Sequence, residues 1–331
     1  NLGNYLHVKH VIPCGNGTDA LQIAMMALNL KPGDEVITPN FTFIATVEVI
    51  KVLGLVPVLV DVEPDTFNIN HQEIENAITS KTKAIVPVHL FGQCADMGKV
   101  MEIAERNNLY VIEDAAQAIG ADYKSEKYNC KAGCIGNIGC TSFFPSKNLG
   151  CYGDGGAIYT NDDTLAEKLR MIVNHGSKIK YYHDSVGVNS RLDTIQAAIL
   201  NVKLKYLDKY NNARRSAADY YDKNLTEIEE IKIPKRNPDS THTFHQYTLQ
   251  INNEENRNAL KEYLNDNEIP AMIYYPVPMH LQNAYKDTRY KDGDFPVTEK
   301  LCKTVLSLPM HTELDNNQQN VIINAIKEFF R

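Results

Sequence analysis

Lys147 lies in Thr141-Ser142-Phe143-Phe144-Pro145-Ser146-Lys147-Asn148-Leu149-Gly150, crowded by two aromatic rings and a proline just before a glycine-rich turn. Lost hydration disfavours the ammonium form, so such a lysine is expected to have a lowered pKa and to offer a free amine that attacks carbonyl groups. The decapeptide alone reads equally well as a solvated lysine after a Pro-Ser turn, because lysines are seldom buried. A second element tips the balance. Tyr110-Val111-Ile112-Glu113-Asp114-Ala115-Ala116-Gln117 is an apolar run that ends in a carboxylate, the pattern of a buried parallel strand. Ligands of open α/β sheets sit beyond the carboxyl ends of the strands, which puts Asp114 in a crevice that Lys147 can also reach. Pyridoxal 5'-phosphate (PLP) needs this pair: a lysine for an imine, and a carboxylate that keeps the pyridine nitrogen protonated. By itself Asp114 also reads as an N-cap of the next segment.

A third element, Cys14-Gly15-Asn16-Gly17-Thr18-Asp19-Ala20-Leu21, is a glycine turn running into an apolar helical segment. The free N–H groups of a helix start bind phosphate. The same residues spell G-x-G-x-x-A, a dinucleotide-binding fingerprint, which would want an acid at the end of the next strand. That strand, Val36-Ile37-Thr38, ends instead in Thr38-Pro39-Asn40, and a dinucleotide site would leave Lys147 without a task.

Taken in order, GNGTDAL, the aromatic of TPNFTF, VIEDAAQ, TSFFPSKNLG, GDGGAI and GVNSRLD resemble the DegT/DnrJ/StrS sugar aminotransferases, from about Tyr5 onward. The resemblance implies a fold-type I, aspartate aminotransferase-like PLP transferase acting on nucleotide-linked keto-sugars. It implies Lys147 as the residue bonded to PLP and as proton shuttle, Asp114 as partner of the pyridinium nitrogen, and Gln117 beside the ring. Phe43 stands where the family stacks an aromatic on the ring, though ordinary core packing also accounts for it. Gly17, Thr18 and Ser142 would hold the phosphate, and Asn189 would reach the phosphate of a neighbouring subunit, so that the active site is built only in a homodimer. Within the family, VHLFGQCADM, CTSFFPSKNLGCYGDGGAI and GVNSRLDTIQAAIL most resemble enzymes that aminate position 3 of UDP-2-acetamido-2-deoxy-3-oxo-glucuronate, with glutamate the expected donor. A dTDP-, UDP- or GDP-linked 3- or 4-keto-6-deoxyhexose is the alternative substrate class. A PLP-dependent sugar dehydratase or a non-catalytic regulatory relative is the alternative role, but the dehydratases of this fold replace the lysine with histidine.

Arg191 is the candidate for an anionic substrate group, which a guanidinium holds with two parallel hydrogen bonds; an ion pair with Asp193 is the competing reading. His175 and the segment Lys178, Lys180, Tyr181, Tyr182, His183 supply positive charge for a nucleotide diphosphate. Relatives carry His-Tyr-Pro-x-Pro, with the histidine on substrate, where this chain has Tyr274-Tyr275-Pro276-Val277-Pro278. Tyr274 and Tyr275 are therefore expected at the substrate, but Tyr274 can only donate or accept a hydrogen bond where a histidine could carry charge.

The elements that must position these residues alternate as in a doubly wound, mostly parallel sheet. Apolar strand patterns fall at Val36–Thr38, Val56–Val60, Ala84–Val88, Tyr110–Glu113, Cys140–Phe143 and Ala157–Thr160; helical ones fall at Thr18–Leu28, Thr46–Val52, Gln72–Ile78, Met97–Arg106 and Asp163–Val173. A long helix from Asp193 to about Leu225 would link residues 1–205, the PLP-binding domain, to a smaller α+β domain at 206–331. That second domain is expected to hold a strand in Phe244–Ile251 and helices at Glu254–Asn265 and Asn316–Phe330. At 331 residues two domains are expected. The net charge of -7 and a pI near 5.8 argue against nucleic acid. No apolar run approaches the ~20 residues of a membrane helix, and no signal peptide is recognisable at Asn1, so a cytoplasmic enzyme is expected. Seven scattered cysteines without a C-x-x-C pair read as reduced thiols with no metal site. Family members carry further residues before the Tyr5 region, so this chain is expected to begin downstream of the full start.

Overall fold

The computed structural model describes all residues, 1–331. A short helix α1 (Leu2–Leu6) precedes β1 (His10–Cys14), and α2 (Gly17–Ala27), β2 (Glu35–Pro39), α3 (Ala45–Val52), β3 (Val56–Val60), α4 (His71–Ala77), β4 (Thr82–Ile85), α5 (Met97–Asn107) and β5 (Tyr110–Asp114) come next in strict alternation. A hairpin of β6 (Asp122–Lys124) and β7 (Asn129–Lys131) leads to β8 (Ile138–Ser142), β9 (Gly156–Thr160) and α6 (Asp163–Ile172). The large sheet runs β1-β9-β8-β5-β4-β2-β3. Neighbours from β8 to β3 are parallel, and β9 runs antiparallel to both β8 and β1.

Burial explains this arrangement. Every residue of β8 and β9 is buried, as strands covered on both faces must be. One face packs against α2 and α6 through Ile23, Ala24, Ile112, Ile138, Ile158 and Leu169. The other packs against α4 and α5 through Ile37, Ile74, Ile85, Val100, Ile103 and Val111. Strand β1, with its internal Pro13, lies at an edge, where a missing N–H costs no ladder bond. The turn that precedes α2 thereby comes next to the end of β8, which brings Gly17 against Ser142.

After a small hairpin of β10 (Ser177–Ile179) and β11 (Tyr182–His183), the chain forms α7 (Thr194–Leu204) and α8 (Leu207–Leu225). The single helix expected over 193–225 is thus two helices, turned at Lys205–Tyr206, because they serve different surfaces. Only Leu200 of α7 is buried, whereas α8 buries Leu207, Arg214, Ala218, Tyr221 and Leu225. Strands β12 (Ile231–Lys232), β13 (Tyr247–Ile251) and β14 (Val305–Leu308) form a second, antiparallel sheet. It is packed by α8, α9 (Glu254–Asp266) and α11 (Asn316–Phe329), while α10 (Pro296–Thr304) returns toward β3. The strand pattern expected from Phe244 begins only at Tyr247, since Phe244 has φ 45 and cannot be extended. Asp61, just beyond β3, accepts from the N–H groups of Val297 and Thr298 at 2.9 and 2.8 Å, so the large sheet caps α10 from outside. No helix is long and apolar enough to cross a membrane.

Glu113 fixes the end of β5. Its buried carboxylate accepts from the backbone N–H groups of Gly133, Ile135 and Gly136 at 2.8, 2.6 and 2.5 Å, and from His89 Nε2 at 2.8 Å. Ala95 N–H donates to His89 Nδ1 at 3.2 Å, which leaves Nε2 as the ring's donor. Glu113→Ala strands these buried donors and should lower the unfolding free energy by about 3 kcal/mol or more. Urea denaturation measures it, and a loss below about 1 kcal/mol would mean that water replaces the carboxylate.

Candidate active site

A cavity of about 650 Å³ opens at the carboxyl ends of β2, β5 and β8, beside the first turn of α2. Its walls include Gly17, Thr18, Phe43, Asp114, Gln117, Ser142 and Lys147 from the large sheet and its loops, and His245, Tyr274 and Tyr275 from the chain after α8. Sheets of this type bind ligands at that place.

Asp114 is the last residue of β5 and points to the face opposite Glu113, as alternation along a strand requires. Thr46 Oγ1 donates to one carboxylate oxygen at 3.0 Å and Ala116 N–H to the other at 3.1 Å. Burial pushes this carboxyl above its ordinary pKa, while the two donors and the charge of Lys147 oppose the shift. A carboxylate destabilised in this way gains from a cation placed against it, as the protonated nitrogen of a pyridine ring would be. Lys147 comes after the end of β8 in a turn closed by its own N–H donating to Phe144 O at 2.8 Å. Burial lowers its pKa to about 8, and the nearby Asp114 carboxylate holds it from falling further. An appreciable fraction is then free amine near neutral pH, the form that reacts with a carbonyl.

The phosphate cradle is formed by close approach. A Cβ on Gly17 would lie 2.7 Å from Ser142 Cβ, so only glycine lets the first turn of α2 touch the end of β8. Asn16 caps α2 by accepting from Asp19 N–H at 2.8 Å, and the N–H groups at the start of the helix have no acceptor of their own within it. Backbone donors, a serine hydroxyl and a threonine at a helix start match the acceptors of a phosphate. Gln117 is fixed from both sides: Phe91 N–H donates to its Oε1 at 2.6 Å, and its Nε2 donates to Tyr275 Oη at 3.1 Å. Tyr275 in turn lies 6.2 Å, centroid to centroid, from the Phe43 ring, which is 53% exposed and free to take a flat ligand. The residues present therefore fit PLP, with Asp114 as the partner for its ring nitrogen and the Gly17–Ser142 cradle for its phosphate.

Three expected site residues lie off the cavity. His175, Asn189 and Arg191 are exposed and line no part of it within one chain. Arg191 has no acidic partner within 4.0 Å, so the ion pair with Asp193 does not form. Their segment is nonetheless anchored at the cradle. Ser190 Oγ accepts from Gly15 N–H at 2.8 Å and donates to Asp19 at 2.6 Å. The sequence reading missed Thr46, the Asp19–Ser190 link, Asp154 and His245. Asp19 was readable as a first-turn acid, but nothing local marks the others.

The DegT/DnrJ/EryC1/StrS aminotransferase family model matches residues 1–327. A pleiotropic regulatory protein of Geobacillus stearothermophilus is 50% identical, over 100% of this chain and 88% of its own length. The UDP-2-acetamido-2-deoxy-3-oxo-D-glucuronate aminotransferase of Pseudomonas aeruginosa is 46% identical, over 98% of this chain and 88% of its own. The crystal structure of S. venezuelae DesV in complex with a ketimine intermediate superposes with a TM-score of 0.95 at 39% identity, covering 100% of this chain and 87% of that one. Further relatives are named for dTDP- and GDP-linked sugars.

In the cofactor-free protein, acylation of Lys147 monitored by mass spectrometry should rise with pH around a midpoint of about 8, against about 10.4 for solvated lysines. A midpoint for Lys147 near that of its solvated neighbours would rule out the desolvated amine. Gly17→Ala should push Ser142 off the first turn of α2 and weaken PLP binding by about tenfold or more, an overpacking cost of about 1–3 kcal/mol, with the Lys147 midpoint unchanged; equilibrium dialysis reads the affinity.

Proposed function

The chain belongs to the DegT/DnrJ/EryC1/StrS aminotransferase family and is a PLP-dependent sugar aminotransferase, and from that premise we propose that it moves the amino group of glutamate to position 3 of UDP-2-acetamido-2-deoxy-3-oxo-glucuronate. The observation that carries the catalytic part is the convergence of Lys147, Asp114 and the Gly17–Ser142 cradle on one cavity. The substrate part is supported by the 46% identity to an enzyme of that name. A dTDP- or GDP-linked keto-sugar is the second reading, favoured by the relatives named for such sugars and by Tyr274 in place of the family histidine.

PLP bound here would supply an electron sink for the carbanion formed at the substrate carbon. Lys147 would hold it covalently, Asp114 would keep its ring nitrogen protonated, and Gly17, Thr18 and Ser142 would bind its phosphate. Gln117, clamped between Phe91 and Tyr275, and the half-exposed Phe43 would flank its ring. Freed from the cofactor, Lys147 Nζ would carry the proton from the α-carbon of the amino acid to the cofactor in the first half-reaction and from the cofactor to the sugar carbon in the second, a task suited to a pKa of about 8.

A homodimer completes this reading. Helix α7 and its surroundings expose Ile195, Val202, Tyr206, Tyr152 and Phe144, at 75, 59, 48, 73 and 52%, apolar area of the kind that a partner covers. Asn189, Arg191 and His175 border that surface and would serve the partner's cavity, Arg191 with its guanidinium free for an anionic group. The positive charge expected from the hairpin after His175 is partly spent, since Lys178 pairs with Glu167.

Purified protein with added PLP should show a visible absorption band that is bleached by glutamate, and Lys147→Ala should lack the band and lose at least about 10³-fold in kcat. A band untouched by glutamate would overturn the donor. Arg191→Ala should raise KM for the uronate by about tenfold while leaving the glutamate half-reaction intact, on mixed assay of both sugars; equal turnover of the uronate and a neutral dTDP-sugar would overturn the substrate.

A further inference from the structure

His245 and Lys147 line the same cavity, close enough for the Lys147 charge to bear on the imidazole. The turn that delivers His245 is unusually built. Gly92 has φ 110, and a Cβ there would lie 2.5 Å from Thr243 Oγ1 and 3.1 Å from His245 N. Thr243 N–H donates to Gly92 O at 2.8 Å. Phe244 is held at φ 45, a conformation that costs a non-glycine residue about 1–3 kcal/mol and persists where the surroundings enforce it, often at functional sites. Those surroundings are present. The His242 ring stacks on Phe244 at 3.9 Å and its Nδ1 accepts from Phe244 N–H. Arg214 Nη1 donates to the carbonyls of Phe244, His245 and Met310 at 3.1, 3.4 and 3.1 Å.

The result is an imidazole with one inaccessible nitrogen. His245 Nδ1 is buried and has no hydrogen-bond partner. A bare acceptor is the less costly orphan, buried unpaired N–H groups being the rarer defect, so the proton belongs on Nε2. Nε2 is not among the buried unpartnered atoms, and the residue lines the cavity, so this N–H is presented to it. Burial and the charges of Lys147 and Arg214 push the imidazole pKa well below its ordinary value, so the ring stays uncharged.

We propose that the His245 Nε2–H is a hydrogen-bond donor used in turn by both substrates, meeting a carboxylate oxygen of the amino acid in one half-reaction and a hydroxyl or carbonyl oxygen of the sugar in the other. The proposal rests on the aminotransferase reading above. An aminotransferase with two unlike substrates must accommodate an anion and a polyol at one reacting centre. A guanidinium there would be left buried and unpaired whenever the sugar is bound, which is costly. A neutral N–H costs little in either state, because any oxygen satisfies it.

The test measures the two half-reactions separately in single turnover, the PLP form with glutamate and the pyridoxamine form with the keto-sugar. His245→Leu should slow both by about tenfold, and His245→Gln, which keeps a neutral donor, should stay within about threefold of wild type. His245→Arg should retain the glutamate step and lose the sugar step. In the cofactor-free wild-type protein, 15N-histidine NMR should show the Nε2–H form, with a resonance that moves on adding glutarate, a dicarboxylate that cannot react. The Nδ1–H form, no response to glutarate, or a His245→Leu variant within about twofold of wild type in both steps would each overturn the proposal. Wild-type enzyme that ignores glutamate but transfers from another amino acid sinks the proposed donor alone, and the His245 variants are then read with that amino acid.

Discussion

The end of β5 carries two adjacent carboxylates with opposite duties, and the rest of the molecule depends on the first holding still. Glu113 is pinned by three backbone N–H groups and His89, and Asp114, one residue later, faces the cavity. Strand alternation means that neither side chain can shift without moving the other. A charged group meant to meet a cofactor atom must be placed to a fraction of an ångström. Here that precision comes from a second carboxylate on the reverse of the strand, buried where no ligand reaches it. The loop 133–136, which supplies the three backbone donors, leads straight into β8, whose far end carries Ser142 and then Lys147. The positions of Asp114 and Lys147 are thus coupled through backbone.

The main chemistry was legible because it depends on local context. A lysine among phenylalanines and a carboxylate closing an apolar run can each be read from a few neighbours, and the structure brings both to one cavity with Gly17, Thr18, Phe43, Gln117, Ser142, Tyr274 and Tyr275. The alternation of elements in the first half was legible for the same reason, since strands buried on both faces are apolar runs and their helices are amphipathic. Edge strand β1 was missed because Pro13 interrupts its pattern.

What sequence could not reveal came from long-range contact. Thr46 reads as an ordinary helix residue until Asp114 arrives beside it, and Ser190 is one more polar loop residue until it bridges Gly15 and Asp19. His245 shows its odd state only through Gly92 and Arg214, each distant in the chain. The break between α7 and α8 has no glycine or proline to announce it, because it arises from two helices burying different faces. Arg191 had a local rationale in the sequence and Asn189 only the family resemblance, and both sit outside the cavity of their own chain.

The division of labour around the cavity has an evolutionary side. Residues that face the proposed cofactor end come from the large sheet, whereas His245, Tyr274 and Tyr275 come from the chain beyond α8, joined to the sheet and its loops by links such as Thr243 with Gly92, Tyr275 with Gln117 and Asn40 with His280. A change at Tyr275 would therefore be felt by Gln117 and so at the earlier wall, whereas Tyr274, which lines the cavity without such a partner, can vary alone, and that suits a family whose members bear names for UDP-, dTDP- and GDP-linked sugars.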